Sequence, residues 1–203
     1  SGLELRMLAH YMNDGDYTNQ LLDGDIHTYN MNMAGLTDRS QAKTLIYAIC
    51  YGAGNAKIGT IIGGDAKDGE KLKKKFFKNI PALGDLIQRV QRAAERGYLK
   101  GLDGRILWVR STHSALNTLL QSAGAIVMKK ALTILQEDAS SLGIDFKFVG
   151  NIHDEIQSEV KEKDAELFGS LARESIVKAG QYFNMRCPLD GEYQVGLTWA
   201  DTH

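Results

Sequence analysis

Arg39, Lys43, Tyr47 and Tyr51 recur at steps of four through the stretch Thr37–Gly54. A helix advances 3.6 residues per turn, so the four side chains form one slowly drifting stripe. Two cations and two aromatics then face one way. Arg offers a planar fork to phosphate oxygens, Lys a point charge, and Tyr a face for a base or sugar, a set suited to a phosphorylated, stackable ligand. A lone i, i+4 basic pair is ordinarily a solvated helix face, but an ordered run of four argues for a ligand. Ile152-His153-Asp154-Glu155 is a second candidate, a carboxylate pair at the bend between two strand-like runs, although acidic pairs at turns are usually just solvated. Asn117 and Gln121, one turn apart, present amides on one helix face. Such amides both donate and accept, and can read the minor-groove acceptors shared by every base pair.

These residues need elements to position them. Around the stripe, Thr37 or Asp38 can cap a helix start, Leu45, Ile46 and Ile49 supply its apolar back, and Gly52 and Gly54 end it. Leu3, Met7, Leu8 and Tyr11 predict a helix beginning within the first few residues, with Glu4 in its first turn. Gly24 breaks a helix and Asp25 caps the next, leaving His27 as a capped-turn histidine. From Lys57 to Gly97 apolar patches (Ile58, Ile61, Ile62; Leu72, Phe76, Phe77; Leu83, Leu86, Ile87, Val90) predict helical scaffold without chemistry, broken at Gly63-Gly64 and Pro81. Asp103-Gly104 signals a hairpin turn before a strand over 105–110. A long helix follows from Leu116 through Ala139, then two strands around a tight bend over Asp145–Val160. An amphipathic helix from about Asp164 to Tyr182 precedes Gly191 to Trp199, expected to pack behind the sheet and close it.

The 203 residues are 43% hydrophobic and 24% charged, an ordinary globular composition long enough for a real core or two small subdomains. No apolar run approaches the roughly 20 residues of a membrane span and no export leader is visible, so no membrane partner is expected and the compartment is expected to be cytoplasmic. Cys50 and Cys187 fit neither a disulfide framework nor a zinc pattern. The net charge of −1 does not advertise nucleic-acid binding. One basic run, Lys67, Lys71, Lys73, Lys74, Lys75 and Lys78, reads by itself as a solvated helix face.

Arg39-x3-Lys43-x3-Tyr47-x3-Tyr51-Gly52 resembles motif B, the fingers helix of family A DNA polymerases, and is most similar to the bacteriophage replicative branch. Ser1-x-x-Glu4-Leu5-Arg6 resembles the second half of motif A, Gly-Asp-Ile-His27 the segment before motif B, Leu116–Ala125 the minor-groove reader, and Ile152-His153-Asp154-Glu155 motif C. Four motifs in family order span essentially the whole chain. The resemblance implies an α+β fold: helical fingers (10–112) inserted in a palm (1–9 and 113–203) with a small antiparallel sheet, an incomplete right hand whose thumb and motif A Asp lie upstream. It implies a DNA-directed DNA polymerase that adds deoxynucleotides to a primer 3′-hydroxyl with two Mg2+ ions held by Asp154, with Glu155 beside it. Arg39, Lys43 and His27 would meet the triphosphate, Lys43 also protonating the leaving pyrophosphate. Glu4 would block a ribose 2′-hydroxyl and Tyr47 meet sugar and base. Tyr51 and Gly52 would lie on the templating side, His113 and His153 near the primer, and Asn117 and Gln121 in the minor groove. The implied partners are primer-template DNA, deoxynucleoside triphosphates, an N-terminal polymerase fragment, and a processivity factor bound outside this chain; for a viral protein the compartment is the host cytoplasm. The connection before Gly101 looks short against the phage pattern.

Two other readings compete. A single-subunit phage-type RNA polymerase shares a similar Arg/Lys helix, though the Glu4 gate argues against it. A non-catalytic nucleic-acid-binding remnant would explain the missing motif A Asp. That missing Asp also predicts that the chain alone does not extend primers. A start between a metal-binding Asp and its following Ser, with Ser1 able to accept an acyl group, leads to the expectation that Ser1 is an intein splice junction.

Overall fold

Aspartates cap the starts of four helices. The computed structural model describes residues 2–202 and divides the chain into two units, Met7–Ser122 and Ser1–Arg6 with Ala123–His203. Ser1, the expected splice junction, lies outside the described residues.

The Met7–Ser122 unit is helical apart from one hairpin. Its helices are α1 (Leu3–Met12, begun in the other unit), α2 (Gly15–Asp23), α3 (Ile26–Ala34), α4 (Arg39–Cys50), α5 (Asn55–Ile61), α6 (Ala66–Asn79) and α7 (Pro81–Ala94). Asp14, Asp25 and Asp38 each precede a helix in extended backbone, and each carboxylate accepts from amides of the first turn; Asp65 and Asp68 make a reciprocal capping box. An amide left without such an acceptor costs about 1 kcal/mol. α4 buries Ala42, Leu45, Ile46, Ile49 and Cys50. Leu72, Phe76, Leu83, Leu86 and Val90 line the buried sides of α6 and α7, as their spacing predicts. Tyr17 is fully buried beside Tyr29 and Asn30, and burial pushes its phenol well up. α5 and α6 approach so closely at Gly69 that a Cβ there would stand 2.0 Å from the Asn55 carbonyl. β1 (Tyr98–Lys100) and β2 (Ile106–Trp108) pair antiparallel around a turn with Gly104 at φ +85°.

In the other unit, α8 (Ala115–Ser141, begun in the first unit) leads to β3 (Phe146–Ile152) and β4 (Glu155–Val160), an antiparallel pair with a bulge between Phe148 and Gly150. Leu135, Ala139 and Ile144 bury against Phe168 of α9 (Ala165–Tyr182), with Phe146, Ile156 and Val160 of the sheet packed on them. Phe146 and Phe148 do share a face, 5.2 Å apart. The α+β expectation holds: the described residues are mostly helical, with two small antiparallel sheets.

Two expectations do not hold. Gly191 to Trp199 meets α9 and β4 through the Tyr193–Glu166 and Trp199–Glu155 hydrogen bonds but adds no strand that would close the sheet: Tyr193, Val195 and Leu197 alternate in sequence, but all three are exposed, Leu197 at 98%. Alternation supplies a face and not a backbone partner, and among the described residues this sheet has two strands only. Second, the helical stretch Thr112–Ser141 is long and apolar enough by length and composition to cross a membrane, with mean hydropathy 1.2 over its best window. Half of that window is buried inside the fold, with Ala123, Val127, Ala131 and Leu135 fully so, the behaviour of a core helix.

Candidate functional site

α4 turns its buried back inward and leaves Arg39 and Lys43 exposed and Tyr47 half-buried, so the predicted stripe forms. α3 packs beside it and adds His27 from its first turn. Asp25 caps α3 through the His27 and Thr28 amides (3.1 and 3.3 Å) and also takes the Arg39 guanidinium side-on, with Nε at 2.7 Å and Nη2 at 2.9 Å. Arg39 holds the Asp25 carboxyl well below the usual carboxylate range. The His27 ring lies 6.4 Å from that of Tyr47. Its pKa is lowered, first by burial and then by the charges of Arg39 and Lys43, so the imidazole is neutral near pH 7. His27 Nδ1 is buried and has no hydrogen-bond partner among the described residues. His27, Arg39, Lys43 and Tyr47 thus converge into a cationic site with one aromatic wall and one unused imidazole nitrogen, able to bind a phosphorylated aromatic ligand.

At the other end of α4 the helix stops at Cys50, and Tyr51 serves as its cap, 53% exposed. Gly52 follows at φ +75° and passes so close to the His113 carbonyl that a Cβ would lie 2.0 Å from it. Gly54, expected to share in ending α4, instead precedes α5 in extended backbone. Gln121 Nε2 donates to Tyr51 Oη at 3.4 Å, and Asn117 Oδ1, one turn earlier, is buried without a partner among the described residues. Tyr51, Gly52, His113, Asn117 and Gln121 therefore form one neighbourhood. A cavity of about 260 Å3 beside it is lined by Ile49, Gly52, Asn55, Lys73, Gln91 and His113 among others. By sequence Lys73 and Gln91 belong to scaffold helices, and no spacing signal points to this cavity. A hollow of about 350 Å3, lined by Met12, Asp85, Arg89 and Arg92 among others, shares no residue with these groups.

In the other unit, Ile152 pairs with Glu155, making His153-Asp154 a two-residue turn with His153 at φ +55°. Asp154 is exposed at its tip. Glu155 is half-buried: its Oε1 accepts from Trp199 Nε1 at 3.2 Å and from Gln157 Nε2. Trp199 opens a short 3-10 turn capped reciprocally by Thr198 and Asp201. No spacing rule could have named Trp199 or Gln157. Glu4 is half-buried in the first turn of α1, with one carboxylate oxygen out of solvent. Among the described residues no three His, Cys, Asp or Glu side chains gather into a metal site. A lone exposed carboxylate such as Asp154 still fits one edge of a Mg2+ site, since that ion commonly takes one or two carboxylates together with phosphates and water.

Known proteins are similar to this chain in sequence and fold. DNA-directed DNA polymerases of Enterobacteria phage T3 and Escherichia phage Phieco32 are 41% and 40% identical to the chain over its whole length. The chain spans 32% and 39% of those two relatives. The POL domain of Pol1 from M. smegmatis, solved in complex with DNA primer-template and dNTP, has a similar fold with TM-score 0.84 at 20% identity, covering 94% of this chain and 37% of that one. DNA polymerase family A matches residues 1–201, and the chain belongs to that family.

Proposed function

We propose that the chain supplies the fingers (residues 10–112) and part of the palm (1–9 and 113–203) of a DNA-directed DNA polymerase acting in the cytoplasm of a phage-infected host. The carrying observation is the convergence of His27, Arg39, Lys43 and Tyr47 on one face of α3 and α4. The reaction joins a primer 3′-oxygen to the α-phosphorus of a deoxynucleoside triphosphate, while the bond to pyrophosphate breaks.

Each residue has a task in that step. Arg39 offers its fork to the triphosphate, and Lys43 sits where it can neutralise the same charge and give a proton to the departing pyrophosphate. His27 donates to a phosphate oxygen; its neutral, half-buried ring becomes easier to protonate as the anion arrives. Tyr47 forms the wall for sugar and base, and Glu4 occupies the space a 2′-hydroxyl would need. Tyr51 and Gly52 border the templating base, His113 and His153 the primer, and Asn117 and Gln121 read the minor groove. Asp154 would hold Mg2+ ions with its one exposed carboxylate, with Glu155 steadied beside it by Trp199 and Gln157. Those ions, when bound, activate the attacking oxygen and stabilise the leaving one. The remaining carboxylate comes from an N-terminal partner segment, which also carries any processivity factor.

Primer extension by the chain joined to that segment tests the proposal. Deoxynucleotides should be added under template control and ribonucleotides refused, with Arg39→Ala and Lys43→Ala each slowing addition by roughly 100-fold or more. Extension that survives both changes unaltered overturns it.

A further inference from the structure

The β1–β2 ribbon presents a face that the nucleotide site does not use. Tyr98 pairs with Trp108 and Lys100 with Ile106, so these four residues share one face, while Leu99 and Leu107 occupy the other. Leu99 is buried and Leu107 half-buried, which makes that second face the inward one. The outer face carries Trp108 at 77% exposure and Ile106 at 57%. A large aromatic held this far into water on a short ribbon is a feature associated with recognition. The rings of Tyr98 and Trp108 meet edge-on at 6.2 Å, giving two aromatic surfaces side by side. The Arg96 guanidinium lies 4.7 Å over the Tyr98 ring, so a cation is already built into the platform.

The charge around the rings is mainly positive. Residues 95–110 hold four cations (Arg96, Lys100, Arg105, Arg110) against two carboxylates, Glu95 and Asp103. Asp103 is committed to Arg105 through contacts of 2.8 to 3.0 Å, so that pair cancels. Arg96, Lys100 and Arg110 remain against Glu95, all four exposed, a net charge of about +2. Aromatic faces set among cations match a single strand of nucleic acid, whose bases have lost their stacking partners and whose phosphates need neutralising. An acidic peptide would engage the cations but has no use for an indole face.

We infer that the outer face of the β1–β2 ribbon binds single-stranded DNA, a base stacking on Trp108 beside Tyr98 while Arg96, Lys100 and Arg110 meet the backbone. The inference rests on the polymerase reading only for the source of the strand, an unpaired template. Binding itself can be measured without catalysis.

The chain has two tryptophans, Trp108 and Trp199, so in a Trp199→Phe background the emission reports Trp108 alone. Titration with an oligothymidylate of about 12 nucleotides, within the range of sites that combine stacking and charge, should quench that emission, and less so as salt rises. Trp108→Ala should weaken binding of a labelled oligonucleotide by about fivefold or more, with Trp108→Phe recovering most of the loss. Lys100→Ala with Arg110→Ala should flatten the salt dependence. Trp108 is exposed, so loss of folding is not expected, and circular dichroism checks it. Unquenched emission, equal affinity of Trp108→Ala, or quenching by polyglutamate but not by DNA each overturns the inference. Primer extension by the completed enzyme with Trp199 intact separates the two failures: extension without quenching removes only this site, and quenching without extension removes only the polymerase reading.

Discussion

Asp25 grips Arg39 through two hydrogen bonds of 2.7 and 2.9 Å while the same carboxylate caps α3. The cation expected to meet a triphosphate is therefore already held by an anion before any ligand arrives. Because Arg39 depresses the Asp25 carboxyl, the pair persists well into acid and opens only below the ordinary carboxylate range. Asp25→Asn keeps an effective cap and weakens the competing charge. Nucleotide affinity, measured by calorimetry with a deoxynucleoside triphosphate, should rise by about a few-fold, as for an exposed ion pair. Weaker binding would show that Asp25 positions Arg39 and does not compete for it.

His27 should titrate below its ordinary 6.5, because burial and the neighbouring cations oppose its proton. The folded state then binds that proton less readily than the unfolded chain, so acidification through 6.5 works against the fold, and His27→Gln should remove this contribution. Adding a triphosphate should move the titration upward. NMR of the imidazole carbons with and without nucleotide reads both shifts.

Asp154→Ala should abolish primer extension by the completed enzyme, a loss of at least about 1,000-fold, and leave duplex binding intact, since Asp154 is exposed and supports no packing. Single-turnover kinetics beside a gel-shift assay separate the two effects.

Tyr47→Phe removes one hydroxyl from the wall beside His27. If that hydroxyl stands in for a missing sugar 3′-hydroxyl, dideoxynucleotide incorporation should fall by about tenfold relative to the normal substrate, the scale of one hydrogen bond. Terminator ratios on sequencing gels provide the measurement, and equal ratios would remove Tyr47 from the sugar.

Gly52→Ala should destabilise strongly, by about 2 kcal/mol or more, since its new Cβ would collide with the His113 carbonyl in a left-handed conformation. Gly63 has the same handedness, φ +69°, but open space around it, and Gly63→Ala should cost only about 1 kcal/mol. Urea melts of both variants test whether the close approach or the dihedral dominates.

What lies within a turn or two of chain was legible from the residues. Arg39, Lys43 and Tyr47 had to share a face once α4 formed, because 3.6 residues per turn allow no other arrangement, and the Asp25 and Asp38 caps need only the amides that follow them. The His153-Asp154 turn likewise follows from two alternating runs with two residues between them. Tertiary structure alone decided that Arg39 is shared with Asp25, that Gly52 meets His113, and that Trp199 holds Glu155 from 44 positions away. It also left Tyr193, Val195 and Leu197 outside the sheet and buried much of an apolar helix that composition would admit to a membrane. The physical reason is common to all of these. Covalent geometry fixes the faces of neighbouring residues, whereas which distant group occupies a face depends on how all the elements pack at once.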